Sequence, residues 1–259
     1  MTTFGHTPPN RASRIPVPIL LQCPAMPPSL QLDHLSFSYD GSRDILRDVT
    51  VSLEGPGRTA LLGANGIGKS TLLRLLVGLL PPHRGAVRVN GLPLCRENLP
   101  AIRTAVGYVF QDSDSQLFLA TVRDNVAFGP LNTGVPRRDI AARSDAAMEQ
   151  MGVLPLADER VYRLSGGQKR LASIATVLSM RPDILLLDEP TSGLDPRNRR
   201  RLADLLRTLP GLLLIATHDL AFVRGLCDRV LLLADGGIAA DGPPDAILSD
   251  AALLERAGL

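Results

Sequence analysis

Hydrophobic order begins at Ser29, where SLQLDHLSFSYDG sets Leu30, Leu32, Leu35 and Phe37 among polar neighbours. This alternation predicts short antiparallel strands as far as about Gly57. Thr59 to Leu62 predicts a buried strand. Beyond a glycine-rich loop, Leu72, Leu75, Leu76 and Leu79 recur at the spacing of one helix face, and Pro81-Pro82 marks the expected stop. AVRVNGLPL reads as a hairpin turning on Asn90-Gly91, and Ala105 to Phe110 as a further strand. From about Asp112 to Arg163 the pattern is mostly helical, interrupted at GPLNTG. The later apolar runs, Ile184 to Leu187, Gly211 to Ala216 and Val230 to Ala234, have strand length. Strands alternating with helices predict a parallel sheet with helices on both faces. No internal repeat is evident, so one such unit is expected.

The 259 residues are 45% hydrophobic, enough to bury a substantial core. No run approaches the ~18 apolar residues that a membrane helix needs. A formal charge of +2 leaves no electrostatic footprint for nucleic acid, and none is expected as a partner. The densest basic run, Arg197 to Arg201, opens a helical stretch and reads as a solvated face. Cys23, Cys95 and Cys227 fit no metal spacing and suggest reduced packing thiols. Residues 1–28 are proline-rich without an acidic residue and read as a disordered tail, with Met26 the expected true initiator.

Three segments carry chemistry. GANGIGKST supplies Gly63, Ala64, Asn65, Gly66, Ile67, Gly68, Lys69, Ser70 and Thr71 between an apolar strand and an amphipathic helix. That context makes it a phosphate loop, whose backbone N–H groups form a nest for anionic oxygens. Lys69 is expected at the β- and γ-phosphates and the Ser70 hydroxyl on Mg2+. ILLLDEP is a buried strand ending in two carboxylates. Asp188 is expected to hold the metal and Glu189 to act as general base on water, because phosphoryl transfer needs mainly positioning and charge neutralisation. Gln111 and His218 each close an apolar strand, where open α/β sheets place ligands. Gln111 would touch the metal or the attacking water, and His218 the γ-phosphate.

LSGGQ precedes a helix marked by Leu171, Ile174, Ala175 and Leu178, so Ser165, Gly166, Gly167 and Gln168 form a second anion-binding helix start. One phosphate loop with two phosphate-binding ends suggests a head-to-tail pair, LSGGQ of one copy closing over ATP on the other. SGLDP would then cross the interface, with Asp195 coupling the two sites.

With these motifs, residues 29–259 resemble an ABC (ATP-binding cassette) transporter ATPase. The resemblance implies a P-loop NTPase of α/β class: a RecA-like core, an antiparallel β subdomain, and an α-helical signature subdomain over about 112–180. It bounds the nucleotide-binding domain at 29–235 and leaves 236–259 as a C-terminal segment in which Leu253, Leu254 and Leu259 could contact a second ATPase. Tyr39 matches the aromatic on which adenine stacks. ATP and Mg2+ are the implied cofactors.

Within the family, FQDSDSQLF, VAFGPLNTG and the C-terminal DGPPDAILSDAALLERAGL are most similar to the energy-coupling-factor type, which includes the cobalt import ATPases. Asp112-Ser113 departs from the Asn-Pro usual after the glutamine. The resemblance implies an ATPase at the cytoplasmic face of the cell membrane, powering uptake of cobalt, nickel or a vitamin. Its partners would be a transmembrane energy-coupling subunit, a substrate-binding membrane subunit, and a second ATPase copy or paralogue. The alternative is a soluble ABC ATPase of DNA repair or translation. Repair members carry long coiled coils between phosphate loop and signature, and no heptads fill Lys69 to Ser165 here.

Overall fold

The computed structural model describes residues 27–259, so the expected tail and Met26 lie outside the described residues, as does Cys23. An antiparallel sheet comes first. β1 (Ser29–Phe37) pairs with β2 (Leu46–Glu54) and with β4 (Arg84–Val89), and β4 turns into the short β5 (Leu92–Pro93). The hairpin turns where expected: Asn90 and Gly91 take φ of 50° and 75°, the left-handed pair that matches strand twist. Leu30, Leu32, Leu35 and Phe37 are all buried on the inner face.

The second sheet holds six strands in the order β10-β9-β3-β8-β7-β6. β3 (Gly57–Leu62), β6 (Val106–Val109), β7 (Ile184–Asp188), β8 (Leu212–Thr217) and β9 (Arg229–Ala234) run parallel; β10 (Gly237–Gly242) returns antiparallel at the edge. The unbroken apolar runs follow from burial on both faces. Leu61, Leu186, Leu214 and Leu231 pack toward the antiparallel sheet and α1 (Lys69–Leu76), while Leu62, Leu187, Ile215 and Leu232 pack toward the opposite helical layer. That layer includes α5 (Gly166–Leu178), α6 (Pro196–Thr208) and α7 (Leu220–Leu226).

Three helical expectations need correction. α1 ends at Leu76, not at the prolines: Gly78 turns left-handed at φ 65° and Leu79 is half exposed rather than on the buried face. α2 (Leu99–Ala105) was not anticipated, since only Ile102 in it is buried. α3 (Val122–Asn132) runs through most of GPLNTG and stops only at Thr133. Pro130 cannot donate to the Val126 carbonyl one turn back, but the Ser179 hydroxyl does so at 2.8 Å. Gly129 allows the approach of α5's end, for a Cβ there would stand 2.6 Å from Met180 Cγ.

α4 (Arg137–Met151) ends on Gly152 in the left-handed region, and α3, α4 and α5 form the expected helical subdomain. Among the arginines of the basic run, Arg197, Arg200 and Arg201 are exposed on α6, as a solvated face should be, while Arg199 pairs with Asp219. The chain closes with α8 (Pro244–Leu248) and α9 (Ala251–Arg256). Leu254 is buried, and Leu253 and Leu259 half-buried, against this chain's own core, which docks the C-terminal segment onto the domain.

Candidate functional site

The phosphate loop joins the carboxyl end of β3 to α1, as the alternation required. Gly66 and Gly68 take φ of 79° and 117°, and a Cβ on Gly68 would press to 3.0 Å from Ile45 Cγ2. Gly63 is fixed by space instead, with the Leu233 carbonyl 2.7 Å from where a Cβ would be. Small residues thus let the backbone curl close enough for its N–H groups to converge. Lys69 is buried; its Nζ donates to the Gly63 carbonyl at 2.7 Å and lies 3.6 Å from Glu189 Oε1. Burial lowers the Lys69 pKa, and the Glu189 carboxylate opposes that shift.

β7 delivers Asp188 and Glu189 beside the loop. Glu189 leaves the strand with φ 46°, a left-handed conformation that a non-glycine residue rarely adopts, and its N–H donates to the Ala216 carbonyl at 2.8 Å. The turn directs its buried carboxylate across the loop: Oε2 accepts from the Thr217 hydroxyl at 3.1 Å and Oε1 meets His218 Nδ1 at 2.9 Å. Asp188 is 1% exposed. Its Oδ2 accepts from the Tyr108 hydroxyl at 3.2 Å, and its buried Oδ1 has no hydrogen-bond partner among the described residues. Burial pushes the Asp188 pKa up, with the Ser70 and Tyr108 hydroxyls working against it.

A cleft of about 580 Å³ gathers Tyr39, Asn65, Gly66, Gly68, Lys69, Ser70, Thr71, Gln111, Asp188, Glu189 and His218. It also takes in Ser192, the first residue of the SGLDP segment. Tyr39 is 56% exposed at the rim, its hydroxyl 3.1 Å from Thr71 Oγ1 and its ring in edge-to-face contact with that of Phe37. Gly63, Ala64 and Ile67 lie behind the loop rather than on the cleft, Ile67 packed against the core. An orphaned carboxylate oxygen beside a serine hydroxyl and a glutamine amide is an all-oxygen donor set, and it fits a hard divalent cation such as Mg2+.

The signature lies elsewhere. Ser165 caps α5 by a reciprocal capping box, accepting from the Gln168 N–H at 3.3 Å while its own N–H donates to Gln168 Oε1 at 2.8 Å. Gly166 is exposed, with open space where a side chain would be. None of Ser165 to Gln168 lines the cleft of its own chain. Asp195 caps α6, accepting from the Arg197 and Asn198 N–H groups at 2.9 Å each. A Cβ on Gly167 would stand 3.5 Å from the Gly193 carbonyl, so signature and SGLDP turn adjoin.

Two further residues escaped the sequence reading. Arg170, 3% exposed, donates to the Phe110 carbonyl at 2.6 Å and to that of Gln111, while Lys169 pairs with Asp114 at 2.6 Å. Consecutive cations on the signature helix therefore strap down the loop carrying Gln111. Only their place after LSGGQ could have flagged them.

A sequence model described as ABC transporter matches residues 46–192, more than half of the chain. The chain belongs to the ABC transporter family. An ABC transporter ATP-binding protein of Geobacter sulfurreducens is 48% identical over 87% of this chain and 90% of its own length. The nickel import ATP-binding protein NikO of Rhodobacter capsulatus is 44% identical over 90% of this chain and 96% of its own. Among solved structures, cbiO1 of Clostridium perfringens, part of the ABC transporter complex cbiONQ, superposes with TM-score 0.77 at 35% identity, over 88% of this chain and 93% of that one. A bacterial ABC transporter cassette solved as a dimer gives 0.77 at 25% identity, over 83% and 98%.

As an ABC ATPase the chain binds ATP and couples its hydrolysis to transport, and the expected α/β P-loop fold with antiparallel and helical parts holds. ATPases of this family dimerise and work with membrane subunits. Among the described residues no helix is long and apolar enough to cross a membrane.

Proposed function

We propose that this chain is the ATP-hydrolysing subunit of an ABC importer of energy-coupling-factor type, taking up a transition-metal ion, nickel or cobalt, or a vitamin. Near full-length likeness to NikO, a nickel import protein, carries the importer reading. The likeness to cbiO1 of the cbiONQ complex and the segments FQDSDSQLF and VAFGPLNTG support it. These likenesses favour it over the DNA repair or translation alternative.

The site supplies the ATPase half. Tyr39 would stack adenine, the loop amides and Lys69 would hold the phosphates, and Ser70, Gln111 and Asp188 would hold Mg2+. Bound there, Mg2+ would neutralise charge on the β- and γ-phosphate oxygens. Lys69 would exchange its loop carbonyls for phosphate oxygens and loosen its hold on Glu189. Glu189, kept in place by Thr217 and His218, would accept a proton from the attacking water. Ser165, Gly166 and Gly167 of a second ATPase, copy or paralogue, would close over the γ-phosphate from the far side, with Asp195 at the shared interface.

The membrane half has its own surface. Phe118 and Phe128 are 62% and 42% exposed, in edge-to-face contact with centroids 5.0 Å apart, and Leu131 beside them on α3 is 55% exposed. Such an apolar group, following the strapped Gln111 loop, suits a helix of the transmembrane energy-coupling subunit at the cytoplasmic face. The test is to tag the chain in its native cell, solubilise membranes in mild detergent and identify what co-purifies. A multi-helix membrane protein with a small substrate-binding membrane subunit is expected. Ribosomes or repair proteins without a membrane partner would overturn the reading.

A further inference from the structure

Among the carboxylate oxygens of the cleft, the two of Asp188 have different fates, and a residue outside the phosphate-binding motifs decides which is which. Tyr108 lies on β6, the strand beside β7, in direct register with Leu186. Its ring meets that of Phe110 edge-to-face with centroids 4.7 Å apart. From there the hydroxyl reaches Asp188 Oδ2 at 3.2 Å, leaving Oδ1 buried and without a hydrogen-bond partner among the described residues. A phenol carries a proton to give and a carboxylate oxygen only lone pairs, so the Tyr108 hydroxyl donates and Asp188 Oδ2 accepts.

We propose that Tyr108 is a positioning residue for the metal carboxylate: its hydroxyl fixes the rotation of Asp188 by occupying Oδ2, so that Oδ1 alone is presented to the cation. A carboxylate about to ligate a metal gains from such an outer partner, because the rotation that would otherwise be lost on binding is already lost. The sequence supplies the partner at small cost, since a phenylalanine in the same place would fill the same space and only the oxygen would be missing. This role rests on the reading of Asp188 as the carboxylate that holds Mg2+.

The test is Tyr108→Phe, with Asp188→Asn as control, probed with Mn2+ by electron paramagnetic resonance on full-length protein saturated with a non-hydrolysable ATP analogue. Tyr108→Phe should weaken Mn2+ binding in the protein–nucleotide complex by about tenfold, the lower end of what loss of an outer-shell partner produces. Its nucleotide affinity in EDTA and its melting temperature should match the parent's. Unchanged Mn2+ affinity in Tyr108→Phe, with Asp188→Asn weakened, would overturn the positioning role alone. Unchanged affinity in both would remove the reading of Asp188 beneath it. A fall in metal-free nucleotide affinity or in melting temperature equal to the fall in Mn2+ affinity would make Tyr108 a packing residue and overturn the proposal as well.

Discussion

Nδ1 of His218 stands 2.9 Å from Oε1 of Glu189, on the side of the carboxylate away from the Thr217 hydroxyl. Thr217, the last residue of β8, and His218, the next, thus hold the end of β7 in place, and the carboxylate is aimed before any substrate arrives. Changing Glu189 to Gln keeps the shape and removes the base. Turnover should fall by about 10²–10⁴-fold while ATP stays bound and the ATP-bound dimer becomes more stable. Phosphate release and size-exclusion chromatography with ATP check this; hydrolysis at the parent's rate would remove Glu189 from the role of base.

Gly166 has no neighbour where a side chain would go, so the fold should accept one there. An aspartate at the first turn of α5 would even complement the helix dipole. Gly166→Asp should therefore melt with the parent yet lose ATP-dependent dimerisation and at least about tenfold of its hydrolysis, because the new carboxylate occupies ground meant for a phosphate. Calorimetry and dimer formation with ATP separate the two; a variant that dimerises normally would place the signature away from the interface.

Gly107 shows the opposite case. A Cβ on this β6 residue would run into Val177 of α5 and stand 2.8 Å from Pro182 Cγ. Gly107→Val should cost about 1–3 kcal/mol by overpacking and lift the signature helix from the sheet. A urea titration measures the loss, and an unchanged midpoint would show that the helix can yield.

Cys227 is buried, and that burial pushes its thiol up to about 12 from an ordinary 9.0. A raised folded-state value means the folded chain holds the proton more tightly than the unfolded one. The thiol's contribution is therefore intact below pH 9 and is lost as pH climbs toward 12. Exposed Cys95 should react with a maleimide within minutes at pH 8, and Cys227 only after denaturant; peptide mapping by mass spectrometry reads both. Equal labelling would contradict the burial.

Much of the site was legible because its chemistry is local in sequence: GANGIGKST and ILLLDEP each bring their own strand and turn. Gln111 and His218 were found by their place at strand ends, a rule that depends only on the order of elements. What stayed hidden depends on contacts across distant segments. That α3 would survive Pro130 was decided by the Ser179 hydroxyl, 53 residues from the Val126 carbonyl it satisfies, at the neighbouring helix's end. That Tyr108 would face Asp188 was decided by the pairing of β6 with β7, which apolar runs predict without giving a register. The stop at Leu76 followed from Gly78, passed over because the prolines beyond it punctuate more strongly.

The backbone of Glu189 is held at φ 46°, where a side chain with a Cβ is strained by about 1 kcal/mol. Glycine would occupy that turn without strain, and asparagine with less. Were Glu189 the base, a copy of this gene released from the duty of hydrolysis could relieve that backbone strain at this one codon, but a glycine there would leave Lys69, Thr217 and His218 without their shared carboxylate. On that reading the strained glutamate is kept by the demand for turnover, together with the three side chains that lean on its carboxylate.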